Sequence, residues 1–122
     1  MTTQTTVFES LDRLFHEPSR LAIMSALCAS DKPLAFNELK ADCALTDGNL
    51  NRHLHVLHEA GAVSITKQFV GPKPLTTVAP TDAGISHFNE YLNSLAEVLR
   101  QAKQAVGGVS TPFDAPGLSS FV

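Results

Sequence analysis

The stretch Leu45-Thr46-Asp47-Gly48-Asn49-Leu50-Asn51-Arg52-His53-Leu54-His55-Val56-Leu57-His58-Glu59-Ala60-Gly61 decides the fold. Leu50, Leu54 and Leu57 recur at spacings of 4 and 3, which line one side of an α-helix. Thr46 stands where a hydroxyl can cap the helix start, and Gly61 suits the left-handed residue just past its end. The leucines fill the core side, which leaves Gly48, Asn49, Asn51, Arg52 and His55 on or near the opposite side.

Immediately upstream, residues 37–42 read as a brief helix with Asn37 as N-cap, after a short extended piece at 34–36 and a Lys32-Pro33 turn. A helix, a turn of three or four residues and a second helix form a helix-turn-helix unit. Further back, Pro18 suits the first turn of a helix whose face Leu21, Met24, Leu27 and Cys28 persists until Ser30 and Asp31. Val7, Phe8, Leu11, Leu14 and Phe15 form the stripe of an amphipathic helix over residues 7–15, closed by Pro18.

Downstream, Val63-Ser64-Ile65-Thr66-Lys67-Gln68-Phe69 alternates apolar and polar, and a second β-prone run spans residues 75–79 across Val70-Gly71-Pro72-Lys73-Pro74. This predicts a hairpin with a basic, proline-stiffened tip. Thr81 then caps a helix over residues 82–105, in which Ile85, Phe88, Leu92, Leu95, Leu99, Ala102 and Val106 alternate spacings of 3 and 4. The order predicts a mainly α (α+β) winged helix-turn-helix with a β-hairpin wing and a long C-terminal dimerisation helix. The expected division is a DNA-binding and dimerisation domain over residues 1–106 and a Gly/Pro/Ser-rich tail over residues 107–122.

The chain has 122 residues, 43% hydrophobic and 17% charged, enough for one core but not for two full domains. No run of 18 apolar residues suggests a membrane span, and a polar start without a basic segment suggests no secretory signal. A cytoplasmic location is expected. The two cysteines, Cys28 and Cys43, form no CxxC pair and read as core thiols. A net charge of −3 argues against a basic coat over the whole surface. The charge is uneven, however: residues 63–81 hold Lys67 and Lys73 and no acid, so any anion-binding face is local.

Residues 45–63 resemble the recognition-helix signature of ArsR/MarR-type bacterial regulators, a small polar start followed by HLxxLxxAGxV. The resemblance continues through Lys67-x-Phe69-x-Gly71-x-x-Pro74, Thr81-Asp82-Ala83-Gly84 and Pro18-Ser19-Arg20-Leu21, covering residues 8 to 100. It implies a homodimeric DNA-binding transcription factor, often a repressor, and places His53 at a position that touches DNA or caps the core edge.

The residues themselves carry suitable chemistry. Asn49 or Asn51 can pair with adenine N6/N7 and Arg52 with guanine O6/N7, while Gly48 lets the backbone approach a phosphate. Thr46 opens a helix whose N-terminus attracts a phosphate, and Asp47 favours the same dipole. Lys67 and Lys73 are wing phosphate contacts, with Arg20 and Lys40 as further candidates. If a dimer neutralises roughly 6 to 8 phosphates, the log–log salt slope is about −5 to −7. A merely solvated helix face, or a winged-helix protein-interaction module with weak or no specific DNA binding, are the competing readings.

His53, His55 and His58 cannot share one ion, because His53 and His55 lie about 200° apart on a helix. A thiolate sensor's CxC element is replaced by Asn37-Glu38-Leu39-Lys40, and His87 with Glu90 is an incomplete site. No metal and no cofactor are expected. A small-molecule inducer in a dimer crevice and oxidation of Cys43 both stay open. No nucleophilic triad, phosphate loop or carboxylate pair points to an enzyme.

The last helix is about 36 Å long, more than a small domain needs to close its core. Tyr91, Val98 and Ala105 recur at intervals of seven and widen its apolar surface. The expected dimer interface is therefore Phe8, Leu11 and Phe15 with Phe88, Tyr91, Leu92, Leu95, Val98, Leu99 and Ala102. A monomer with this helix folded onto its own core is the alternative.

Overall fold

The structure, a computed structural model, describes residues 11–107. In chain order it contains α1 (Pro18–Ala29), β1 (Leu34–Ala35), α2 (Phe36–Cys43), α3 (Asp47–Glu59), β2 (Val63–Val70), β3 (Lys73–Pro80) and α4 (Asp82–Ala105). The strands form an antiparallel sheet of order β1-β3-β2. This is a winged helix-turn-helix α+β fold with a long last helix.

The expected helix over residues 7–15 is corrected where it can be seen. Residues 7–10, including Phe8, lie outside the described residues, and residues 11–17 form turns. Asp12 organises them: its carbonyl accepts from His16 N at 2.9 Å and its carboxylate from Leu14 N at 2.8 Å. Asp side chains offer the backbone such alternatives to a helical ladder. Glu17 is extended before Pro18, as a residue preceding proline must be, and its carboxylate caps α1 by accepting from Arg20 N at 2.9 Å.

α1 buries Ile23, Met24 and Leu27. Cys28 is exposed and so is not the core thiol expected, whereas Cys43 is half-buried against the core; partial burial pushes both thiols above their ordinary pKa. The N-cap of α2 lies two residues earlier than expected, at Ala35 rather than Asn37. Ala35 N donates to Glu38 Oε1 at 3.0 Å, so the glutamate ties back the helix start without a side-chain oxygen at the cap. Ala44, at φ 54, closes α2, and a tight turn leads into α3.

Leu50, Leu54 and Leu57 of α3 enter the core with Ile23, Met24, Leu27, Leu39, Val63 and Val78. β2 and β3 pair continuously from Val63↔Pro80 to Val70↔Lys73. The wing tip is therefore tighter than expected, a two-residue turn at Gly71-Pro72 in which Gly71 takes φ +63.

α4 is seated at its start by Thr81, whose hydroxyl donates to Gly61 O at 2.6 Å and accepts from Gly84 N at 2.8 Å. Phe88 and Tyr91 then cover Phe15, with ring centroids 5.2 and 5.9 Å from it. Among the described residues, no helix is long and apolar enough to cross a membrane.

Candidate nucleic-acid interface

Thr46 caps α3, its Oγ1 accepting from Asn49 N at 3.2 Å. With the leucines buried beneath, Gly48, Asn49, Asn51, Arg52, His55 and His58 all stand exposed on the outer side of the helix. A Cβ placed at Gly48 would meet nothing within 4 Å, so a backbone can approach it closely. Arg52 Nη2 donates to Asn49 Oδ1 at 3.3 Å, which holds a donor fork and an amide side by side at the surface.

α3 and the wing enclose a cleft of about 480 Å³ lined by Asn51, His55 and His58 from the helix and Ile65, Lys67 and Thr76 from the hairpin. Strand alternation carries Val63, Ile65, Lys67 and Phe69 on this side of β2. Lys73 is exposed at the tip, opposite Val70. His58, Thr76 and Phe69 were not among the expected contacts. The strand period alone could have flagged Phe69, whereas the approach of Thr76 to α3 is a tertiary fact.

Three expected contacts already have partners within the chain. Arg20 has its guanidinium turned inward: Nε donates to Leu14 O at 2.7 Å, Nη1 to His53 Nδ1 at 3.1 Å and Nη2 to Arg13 O at 3.4 Å. It staples the 13–14 turn to α3 and is not a free phosphate ligand. Lys40 Nζ lies 2.7 Å from Asp47 Oδ1 in an exposed pair, so the acid that opens α3 competes with a phosphate for it. His53 is buried at 3% exposure, on the core side of α3, and caps the core edge instead of facing outward.

Desolvation lowers the His53 pKa, aided by Arg52 and Arg20 and opposed by Glu17, whose Oε1 is 3.8 Å from Nδ1. A guanidinium only donates, so Nδ1 accepts from Arg20, a contact that favours the neutral ring. The unfolded chain binds this proton more readily. The stability contributed by His53 is thus complete above its ordinary value of 6.5 and is lost as pH falls below it toward the folded value. Thermal melts from pH 7.5 to 5 should fall more steeply for wild type than for His53→Gln, and parallel curves would show the ring to be unconstrained.

The expected dimer residues divide. Phe15, Phe88 and Tyr91 are buried in the chain's own core, so they are not available to a partner. Leu11 packs against that core, and Leu95 and Val98 are half-buried. Leu92, Leu99 and Ala102 are exposed, and they are joined by Ile85 and Val106, which were not on the expected list. Ile85, Leu92, Leu99 and Val106 follow each other at intervals of seven, a stripe at 44%, 39%, 55% and 48% exposure.

A helix-turn-helix with a bare polar outer side, flanked by a lysine-bearing hairpin, defines a winged-helix DNA-binding regulator. The chain belongs to the winged helix DNA-binding domain family, whose model matches residues 19–99. It is 30% identical over 86 residues to an uncharacterised protein of Methanocaldococcus jannaschii, covering 70% of this chain and 92% of the relative. A solved transcriptional regulator homologue from Pyrococcus horikoshii OT3 superposes with a TM-score of 0.69 at 30% identity, over 79% of this chain and 92% of that one. A MarR-family transcriptional regulator from Silicibacter pomeroyi shares the fold, with a TM-score of 0.55 at 16% identity over 94% of this chain and 73% of that one. The family is one of DNA-binding regulators, not of enzymes.

Proposed function

We infer that the protein is a homodimeric transcriptional repressor that reads a palindromic operator, with α3 in the major groove and the wing alongside. The observation that carries this reading is the uncovered outer side of α3, where Asn49, Asn51, Arg52 and His55 are exposed together beside Lys67. A helix exposing amides and one guanidinium, flanked by a lysine over a cleft, suits base edges bordered by phosphate. Thr46 and Gly48 are the proposed phosphate approach at the helix start, and Lys73 the contact at the tip. The heptad stripe of α4 supports pairing of two copies about a two-fold axis.

Selection from a random duplex pool by the full chain tests this. Enriched fragments are expected to carry inverted half-sites about one helical turn, roughly 34 Å, apart. Arg52→Ala should weaken binding to them by about 1 to 3 kcal/mol and relax preference at one base pair in each half-site. Placing the enriched site over a promoter should then lower transcription when the protein is added. Enrichment of nothing would favour the protein-interaction reading, which the net charge of −3 and the Lys40–Asp47 pair support.

A further inference from the structure

Phe69 is 74% exposed at the end of the wing, with Val70 beside it at 61%, while the other large exposed apolar side chains among the described residues lie on α4 or at its C-cap. An aromatic ring held in water gives up the burial that would stabilise it, so its position matters. Phe69 lies on the same side of β2 as Ile65 and Lys67, both of which line the cleft against α3. Its cross-strand partner is Pro74, so the outermost pair on this side of the hairpin is wholly apolar. One pleat separates Lys67 from Phe69, about 7 Å.

Starting from α3, this side of the molecule presents polar side chains, then a lysine, then an apolar tip. A duplex with α3 in its major groove presents base edges, then a phosphate ridge, then a minor groove about 6 Å wide. The two orders match. Charge agrees with them, since residues 60–81 contain Lys67 and Lys73 and no acid. We propose that Phe69, backed by Pro74, is an apolar wedge that enters the minor groove beyond the α3 site and bends the duplex there by prying apart a base step. The inference rests on the DNA-reading function above. It assigns the wing a preference for easily unstacked pyrimidine–purine steps, read through deformation rather than hydrogen bonds.

The test uses the full chain and the duplex that wild type itself enriches, with end-to-end fluorescence transfer for bend angle and anisotropy for affinity. Phe69→Ala is expected to lose about tenfold or more in affinity and about 20° or more of bend, with an unchanged salt slope because no charge is removed. Phe69→Leu should keep most of both. Lys67→Ala should keep the bend and lower the salt slope by about 1.

Wild-type affinity and bend in Phe69→Ala, or loss of affinity with the bend intact, would overturn the wedge while leaving the operator reading standing. A change in sedimentation of Phe69→Ala without DNA would assign the ring to a second copy and overturn it equally. If wild type enriches no duplex, the operator reading and the wedge fall together.

Discussion

Replacing Gly84 with alanine is expected to destabilise the protein by about 3 kcal/mol or more, at the upper end of overpacking effects. A Cβ built at this position lies 2.0 Å from the carbonyl oxygen of Ala62, 2.7 Å from its carbon and 2.8 Å from its Cα. All three atoms are backbone, so no rotamer change relieves the clash. The neighbouring main chain is also fixed, because Thr81 N donates to Ala62 O at 3.0 Å and the Thr81 hydroxyl to Gly61 O at 2.6 Å.

α4 would have to lift from the 61–62 segment and carry Phe88 and Tyr91 off Phe15. For a domain of this size the melting temperature should fall by about 12 °C or more. Gly48→Ala is the control: nothing stands within 4 Å of its Cβ, and the change should lie within about 1 kcal/mol of wild type. Equal melting temperatures for Gly84→Ala and wild type would show that the helix does not sit so closely on Ala62.

The second large effect concerns assembly. Leu92→Glu with Leu99→Glu places two charges on the exposed stripe of α4 while leaving Phe88 and Tyr91 in the core. The variant should sediment as a monomer at micromolar concentration with a melting curve no longer dependent on concentration. Its affinity for a two-half-site duplex should fall by about a hundredfold or more, because linked half-site binding is lost. A single half-site should be bound as by wild type. A variant that still sediments as a dimer would reject the stripe as the interface. Glu97, held at a pKa of about 2 chiefly by hydrogen bonding from Arg100, stays ionised at every pH used and does not confuse the readout.

Most of the wing and of the helix-turn-helix was legible because the relevant signals are local. Leu50, Leu54 and Leu57 declare one face of α3, Thr46 and Thr81 cap the helices that follow them, and alternation along residues 63–69 declares a strand. Asp12 shows where such reasoning stops. The apolar stripe of residues 7–15 suggested a helix that offers Phe15 to a partner, whereas Asp12 arranges residues 13–16 in a turn and Phe15 enters the chain's own core. Arg20, Lys40 and His53 differ for another reason: a charged or aromatic polar side chain looks available in sequence until the fold supplies its partner. Here those partners are Leu14 and His53, Asp47, and Arg20 respectively.

α4 separates the two kinds of information most clearly. Heptad spacing by itself determined that this helix has more apolar surface than one core can absorb, and the leucine spacing of α3 by itself set its polar residues on the opposite side. Which apolar residues turn inward was decided only by the packed molecule. Gly84 lets the helix approach Ala62 at one rotation, and that rotation commits Phe88 and Tyr91 to Phe15 while turning Ile85, Leu92, Leu99 and Val106 to the outside. Periodicity records that a stripe exists, whereas its direction depends on the closest contact the backbone can make.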